Sequence, residues 1–457
     1  MASLNPLRLN QQDWSDLRIM LVSAFPLIVL NFTQTGMQFT DAWMVSKLGS
    51  EALAAVMPSG MMFLIPLSFG WGLMQSLNTF VAQCIGRGEP QGAGHYTLHG
   101  LLIGLLFGLA MIALWPLTPA IFRLVGHEPA VQAMEVQFFQ TSLLGAFAGL
   151  TIAALSSFFT GMQRTKILLV GALLGTALNI FFNWLFIYGN WGCPRLGLTG
   201  SALGTVLAQV CQMIFLLCFF WNKHNRAAYG TLRWRYEGKA ILQIFKVGAP
   251  AGAQFTFDLF TWGVIILWMI GQFGTAHLAA NTIAVRYLHL AFMPALALAA
   301  ILTARVGQAI GEKNPARAES QTRIAFTVIM VYMMSIGLLF FFGRTPLMHL
   351  FTQDPEIIHA GGLILIVTAI YQLFDAMYIT YSHSLRGAGD TIWPAVMLII
   401  YSLVVLVGGG LTIIHYFPEW KSVGPWLATT LYVVALGVTY KIRWHKGKWR
   451  KMDIFKA

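Results

Sequence analysis

Apolar residues run along this chain in long blocks, interrupted at intervals by short polar or Gly/Pro segments. Twelve blocks can be counted, at about 17–46, 52–82, 95–120, 131–158, 166–189, 198–222, 242–272, 277–308, 321–343, 357–383, 392–416 and 423–442. Each is long enough to cross a bilayer as a helix, which takes roughly 20 apolar residues. The pattern predicts an all-α polytopic membrane protein with twelve transmembrane helices. The most polar interior stretch falls after the sixth block. The expected organisation is an N-terminal lobe over 1–222 (helices 1–6), a linker over 223–241, and a C-terminal lobe over 242–457 (helices 7–12 and a basic tail).

The two halves resemble each other. Leu48-Gly-Ser-Glu-Ala-Leu-Ala-Ala55 aligns with Phe273-Gly-Thr-Ala-His-Leu-Ala-Ala280, and Ile85-Gly-Arg-Gly-Glu-Pro90 with Ile310-Gly-Glu-Lys-Asn-Pro315, both 225 positions on. Glu128-Pro129 aligns with Asp354-Pro355, and Gly161 to Thr165 with Gly387 to Thr391, at 226. A repeat six helices long keeps its topology, so the two lobes should be related by a pseudo-two-fold axis along the membrane normal. Parallel repeats of this kind are characteristic of secondary transporters.

Composition narrows the class. Only 10% of the residues are charged against 57% hydrophobic, whereas soluble domains run near a quarter charged. No polar stretch is long enough for a separate soluble domain, and the first apolar run is too long for the core of a cleavable signal. The net charge of +12 is read by location rather than as a nucleic-acid footprint, because no basic block alternates with stacking aromatics. With twelve spans, 23 of the 29 Lys and Arg fall on the side of the termini, five fall on the other side, and Arg286 is left inside a span. The positive-inside rule then puts both termini in the cytoplasm. The four cysteines lack metal-ligand spacing, and there is no nucleotide-binding loop or nucleophile triad. The expectation is a multi-pass protein of the plasma membrane (a bacterial inner membrane), not an enzyme, with no cofactor, nucleic-acid partner or ATPase subunit.

Nearly all of the 17 acidic residues fall in loops, tails or span ends; Asp41, Asp258 and Asp375 fall deeper inside spans. A carboxylate at that depth is costly unless it faces a cavity, binds a cation or takes a proton. Asn179 and Asn183 lie four apart on one helix face. Gln34 precedes Asp41 in the first span, and Tyr371 lies one turn before Asp375. Amides around a carboxylate suit either a proton acceptor or an oxygen cage for a small hard cation, which makes Asp41 or Asp375 a candidate Na+ site. Arg286 cannot lose its charge, and its first expected partner is Asp258 or Asp375. Phe255, Trp262, Phe292 and Met293 stand near these charges as adaptable cavity wall.

These residues together resemble the multidrug and toxic compound extrusion (MATE) transporters, in the NorM-like branch. The resemblance covers nearly the whole chain. Gln34-Thr-Gly-Met-Gln-Phe-Thr-Asp41 is similar to the family's first-helix motif. Asn179-Ile-Phe-Phe-Asn183, Gly197-Leu-Thr-Gly-Ser-Ala-Leu-Gly-Thr205, Tyr371-Gln-Leu-Phe-Asp375 and Leu385-Arg-Gly-Ala-Gly-Asp-Thr391 follow in the family's order. The resemblance implies a V-shaped bundle of two six-helix lobes that exports small organic, often cationic, compounds by antiport with H+ or Na+. It implies a cation-coupling site at Asp41, Asn179, Asn183, Gln34 and Thr205. It implies a substrate or second cation site at Asp258, Tyr371, Asp375, Arg286 and Phe292. Asp258 stands where the branch usually has Glu, and Arg286 where it has a neutral polar residue. A flippase for a lipid-linked precursor is the alternative. Its cavity should carry several cations, whereas the assigned spans hold one Arg and three Asp.

Overall fold

The structure, a computed structural model, describes residues 11–456. Among the described residues there is no strand. Eighteen α-helices follow one another: α1 (Gln11–Ser46), α2 (Ser50–Gln75), α3 (Leu77–Gly86), α4 (Pro90–Ile112), α5 (Thr118–Val125), α6 (Pro129–Leu143), α7 (Ala146–Gly161), α8 (Thr165–Tyr188), α9 (Gly197–Phe220), α10 (Lys223–Tyr229), α11 (Gly238–Phe260), α12 (Ile266–Gly271), α13 (Thr275–Gly311), α14 (Pro315–His349), α15 (Pro355–Gly387), α16 (Ile392–Tyr401), α17 (Gly409–Tyr416) and α18 (Val423–His445). Joined across short breaks, eleven of these segments are long and apolar enough to cross a membrane. The pair α6 and α7, bent by 45° at Leu144–Gly145, makes the twelfth if it is one span. The expected block at 131–158 is this broken helix. A π-helical turn at Thr261–Ile265 joins α11 to α12, and another at Ser402–Gly408 joins α16 to α17. Such turns shift the hydrogen-bond ladder without leaving backbone groups unpaired in lipid.

The internal repeat is visible in the backbone. Gly49 and Gly274, 225 positions apart, both precede a long helix with φ of 115° and 92°. Only glycine adopts such angles freely. Pro90 and Pro315 each open a helix, as do Pro129 and Pro355. Proline lacks the N–H that a first turn leaves unused, so it starts a helix at no cost.

The chain forms two compact units. One contains α1 as far as Ile28 together with Phe260–Asp453; the other contains Val29–Leu259 together with Ile454 and the residues after it. The units therefore divide inside α1 and at the end of α11. Local bonding accounts for this. In the first unit, Asp16 of α1 accepts hydrogen bonds from Arg305 and from Gln321 Nε2 (2.6 Å), and Arg305 Nε donates to Gln321 Oε1 (2.6 Å). Asp13 takes the Ser320 hydroxyl at 2.9 Å. In the second unit, the start of α11 joins the core: Ile244 and Val247 are buried with Leu73, Leu77, Phe80 and Ile454. A methyl group on Gly72 would lie 2.6 Å from the Gly252 Cα, so α2 and α11 touch backbone to backbone.

The first unit is built around α15, which packs on α13, α14 and α18. In the second, α8 packs on α9, and α4 on α7. The linker lies on α4: His99 stacks on Trp234 with centroids 5.1 Å apart and accepts the Glu237 amide at 3.0 Å.

Candidate functional site

Asp41 lies five residues before the end of α1, and α8 and α9 bring its partners to it. Gly189, at φ 75°, ends α8 in the left-handed conformation, and the Leu196 N–H returns to the Phe186 carbonyl at 2.9 Å. This tight return runs α9 back along α8 and sets Thr205 beside the two asparagines. The bonds have a direction. The Thr205 hydroxyl donates to the Ser201 carbonyl (3.0 Å) and accepts from Asn179 Nδ2 (3.0 Å). Asn183 Nδ2 donates to Asp41 Oδ1 (2.5 Å), with a longer contact to Asn179 Oδ1 (3.4 Å). Both asparagines are fully buried. Tyr188 fixes the end of α1 against α8 through its hydroxyl, which donates to the Met44 carbonyl at 3.0 Å.

Because Asn183 presents its amide nitrogen to the carboxylate, its Oδ1 points the other way, where it is buried and has no partner among the described residues. A methyl group on Gly204 would lie 2.4 Å from that oxygen. Glycine at 204 is thus what lets Asn183 fit between α8 and α9, a use of small residues common where membrane helices touch. The cluster contains one carboxylate and several neutral oxygens. It can take a proton on Asp41, or hold a small monovalent cation there if Asn183 turns its Oδ1 to the carboxylate in place of its Nδ2. Among the described residues no three His, Cys, Asp or Glu side chains converge, so any cation here would be held mainly by amide and hydroxyl oxygens.

Asp41, Asn179, Asn183 and Thr205, expected together from the sequence, share one hydrogen-bond network. Gln34 is exposed two turns earlier on α1 and takes no part in the network.

In the other unit, Asp375 and Tyr371 are buried on α15, and Trp262 meets the Tyr371 ring edge-on at 6.2 Å. Gln372 is buried between them in sequence, with neither amide atom bonded among the described residues. Phe292 is half-buried on α13. Asp258 is half-buried near the end of α11 and belongs to the second unit, not to that of Asp375.

Arg286, whose expected partner is Asp258 or Asp375, is exposed on α13. Thr282, Arg286, His289 and Leu290 are all exposed, while Ala280, Asn281, Ala284, Leu288 and Ala291 are buried. The helical period puts Arg286 on the open face of α13, away from α15 packing.

Other buried polar groups carry little sequence signal. Arg305, near the end of its apolar block, is buried against Asp16 and Gln321. Glu135, near the start of the block at 131–158, is fully buried against His127. Phe455, near the end of a basic tail, is seated between Phe80, Tyr96 and Arg87, and its carbonyl takes a bond from Gln243 Nε2 at 2.7 Å.

Fold and repeat define a multi-pass membrane protein built from two copies of a six-helix unit, with a buried carboxylate–amide cluster in one of them. The MatE family model matches residues 26–185 and 255–409, one stretch in each copy of the repeat, and the chain belongs to that family. The multidrug resistance protein NorM of Photobacterium profundum is 26% identical over 436 residues, covering 93% of this chain and 95% of the relative. The NorM of Vibrio cholerae is 29% identical over 370 residues, 80% of each chain. Among solved structures, a MATE protein crystallised with MaL6 superposes with a TM-score of 0.86 at 21% identity, covering 99% of this chain and all of that one. The eukaryotic MATE transporter AtDTX14 gives 0.84 at 17% identity, covering 96% and 97%. At these identities the structural likeness speaks for the fold.

Proposed function

We propose that this protein is a secondary active multidrug exporter that moves small organic, often cationic, compounds out of the cell by antiport with H+ or Na+. It would sit in the plasma membrane with both termini cytoplasmic. The NorM relatives, similar along four fifths or more of the chain, support the multidrug reading. The observation that carries the coupling is the Asp41–Asn183 bond, backed by Asn179 and Thr205. An ionised Asp41 accepts the Asn183 amide and stays oriented. A proton or cation on Asp41 cancels the charge that those dipoles hold, and the packing of the end of α1 on α8 changes with it. Loading one site thereby shifts the balance between the states of an alternating-access cycle. Asp375 and Tyr371 form the substrate side of this reading.

The test is efflux of fluorescent organic cations from proteoliposomes under an imposed ΔpH or ΔNa, one gradient at a time. Acceleration by one of the two gradients, lost in Asp41→Asn at unchanged expression, supports the reading and names the ion. Export indifferent to both gradients would refute it.

A further inference from the structure

Lys441, Ile442, His445 and the capping residue Lys446 line an open groove of about 370 Å³ at the end of α18. At 3.6 residues per turn the four fall within an arc of about 140°, with a lysine at each edge. α18 is long and apolar enough to cross a membrane, so the groove lies where a span meets the lipid headgroups. Leu431, Val438 and Ile442, seven and four residues apart, are exposed along one face of the same helix. They form an apolar track that leads from the groove into the bilayer.

The end of the helix is held in place. Gly447, at φ 66°, stops α18. Trp449 then folds back to stack on Trp444, with centroids 4.2 Å apart, and its Nε1 donates to the Trp444 carbonyl at 2.8 Å. His445 Nδ1 donates to the Lys441 carbonyl at 2.8 Å, and its ring lies 6.0 Å from that of Tyr381. These contacts fix the wall between the two lysines.

The charges at this end of α18 divide by residue type. Arg443 Nε donates to Asp390 Oδ2 at 2.8 Å, and Arg450 bonds Glu319. Among the described residues no carboxylate pairs with Lys441 or Lys446; the Lys441 ammonium lies 5.8 Å from the Phe326 ring. Two ammonium groups thus flank an apolar patch at the membrane boundary. That is the complement of a phosphodiester carried on an acyl chain.

We propose that this groove binds an anionic phospholipid, with Lys441 and Lys446 on the phosphate and Ile442 and Val438 along an acyl chain. His445 forms the wall between the lysines. The proposal rests on α18 crossing the membrane and not on the export reading.

Acetylation of lysines in the wild-type protein, read peptide by peptide by mass spectrometry, tests the site without transport. Rates are taken relative to Lys166, an exposed lysine at the start of α8. In nanodiscs of phosphatidylglycerol, Lys441 and Lys446 should react about tenfold more slowly than in nanodiscs of phosphatidylcholine, the effect of one hydrogen bond between charged groups. In Lys441→Gln most of the protection of Lys446 should be lost, because both lysines hold one phosphate. Ile442→Ser, at an exposed position, should weaken the protection of both. Equal relative rates in the two lipids overturn the proposal, as does the same protection from inorganic phosphate added to phosphatidylcholine nanodiscs. Absence of gradient-driven efflux would refute the export reading and leave these rates unaffected.

Discussion

Gly204→Ala perturbs the proposed coupling cluster without replacing any of its polar groups. The added methyl carbon would lie 2.4 Å from Asn183 Oδ1 and 3.0 Å from the Asn183 backbone nitrogen. The side chain could turn aside, but the backbone nitrogen cannot, so α9 must move off α8. Overpacking of this kind costs about 1–3 kcal/mol. Either response degrades the 2.5 Å bond from Asn183 to Asp41, and a hydrogen bond to a charged group contributes about 1.5–3 kcal/mol. At roughly 1.4 kcal/mol per factor of ten, ion-driven efflux should fall about 10- to 100-fold. Gly171→Ala, on the same helix as Asn183, serves as control. Its methyl would meet only side-chain atoms of Phe215 and Leu216, at 3.3 Å and 3.4 Å. Efflux from proteoliposomes, normalised to protein recovered by size exclusion, reads the effect. In an Asp41→Asn background the Gly204 change should add no further loss. Wild-type efflux from a folded Gly204→Ala protein would refute the account of how Asn183 is held.

Three further outcomes follow from particular contacts. Arg305→Ala leaves Asp16 buried without its cation and should cost about 3–5 kcal/mol, read as a lowered unfolding temperature in detergent; adding Asp16→Asn should recover part of the loss. Arg286→Gln removes an exposed charge and should change stability by less than about 0.5 kcal/mol, whereas a large loss would point to a buried ion pair. Phe455→Ala deletes ring contacts to Phe80 and Tyr96 with centroids at 6.0 and 5.5 Å, and a cation–π contact to Arg87 at 4.0 Å; at about 0.5–1.5 kcal/mol per aromatic pair, tryptic cleavage at Lys451 should quicken roughly tenfold.

Helix placement was legible because lipid forces long apolar runs and the breaks are written in Gly and Pro. Gly49 and Gly274 take their positive φ because those turns require it, so the repeat could be found from residues alone. The spacing of Asn179 and Asn183 put both on one helix face, and the structure adds only what they bond. Depth along a helix says nothing about azimuth, so the exposure of Arg286 cannot be read from its place in the span. Exposure of Thr282, Arg286 and His289 together is a tertiary fact. The Asp16–Arg305–Gln321 cluster joins residues nearly 300 positions apart, for which a single sequence carries no signal. Glu135 could have been suspected from its position six residues past the proline that starts α6, within the helix rather than before it. The seat of Phe455 could not: an aromatic in a basic tail has no periodicity to betray its partner.

The most direct test of Asp41 as the coupling carboxylate is equilibrium drug binding to purified protein, titrated with H+ and separately with Na+, in wild type and in Asp41→Asn. If ion and drug favour opposite states through Asp41, wild-type affinity weakens as the coupling ion rises, and the Asn variant stays nearly flat over the same range. Equal ion sensitivity in the two proteins would contradict the account and move the linkage to Asp258 or Asp375.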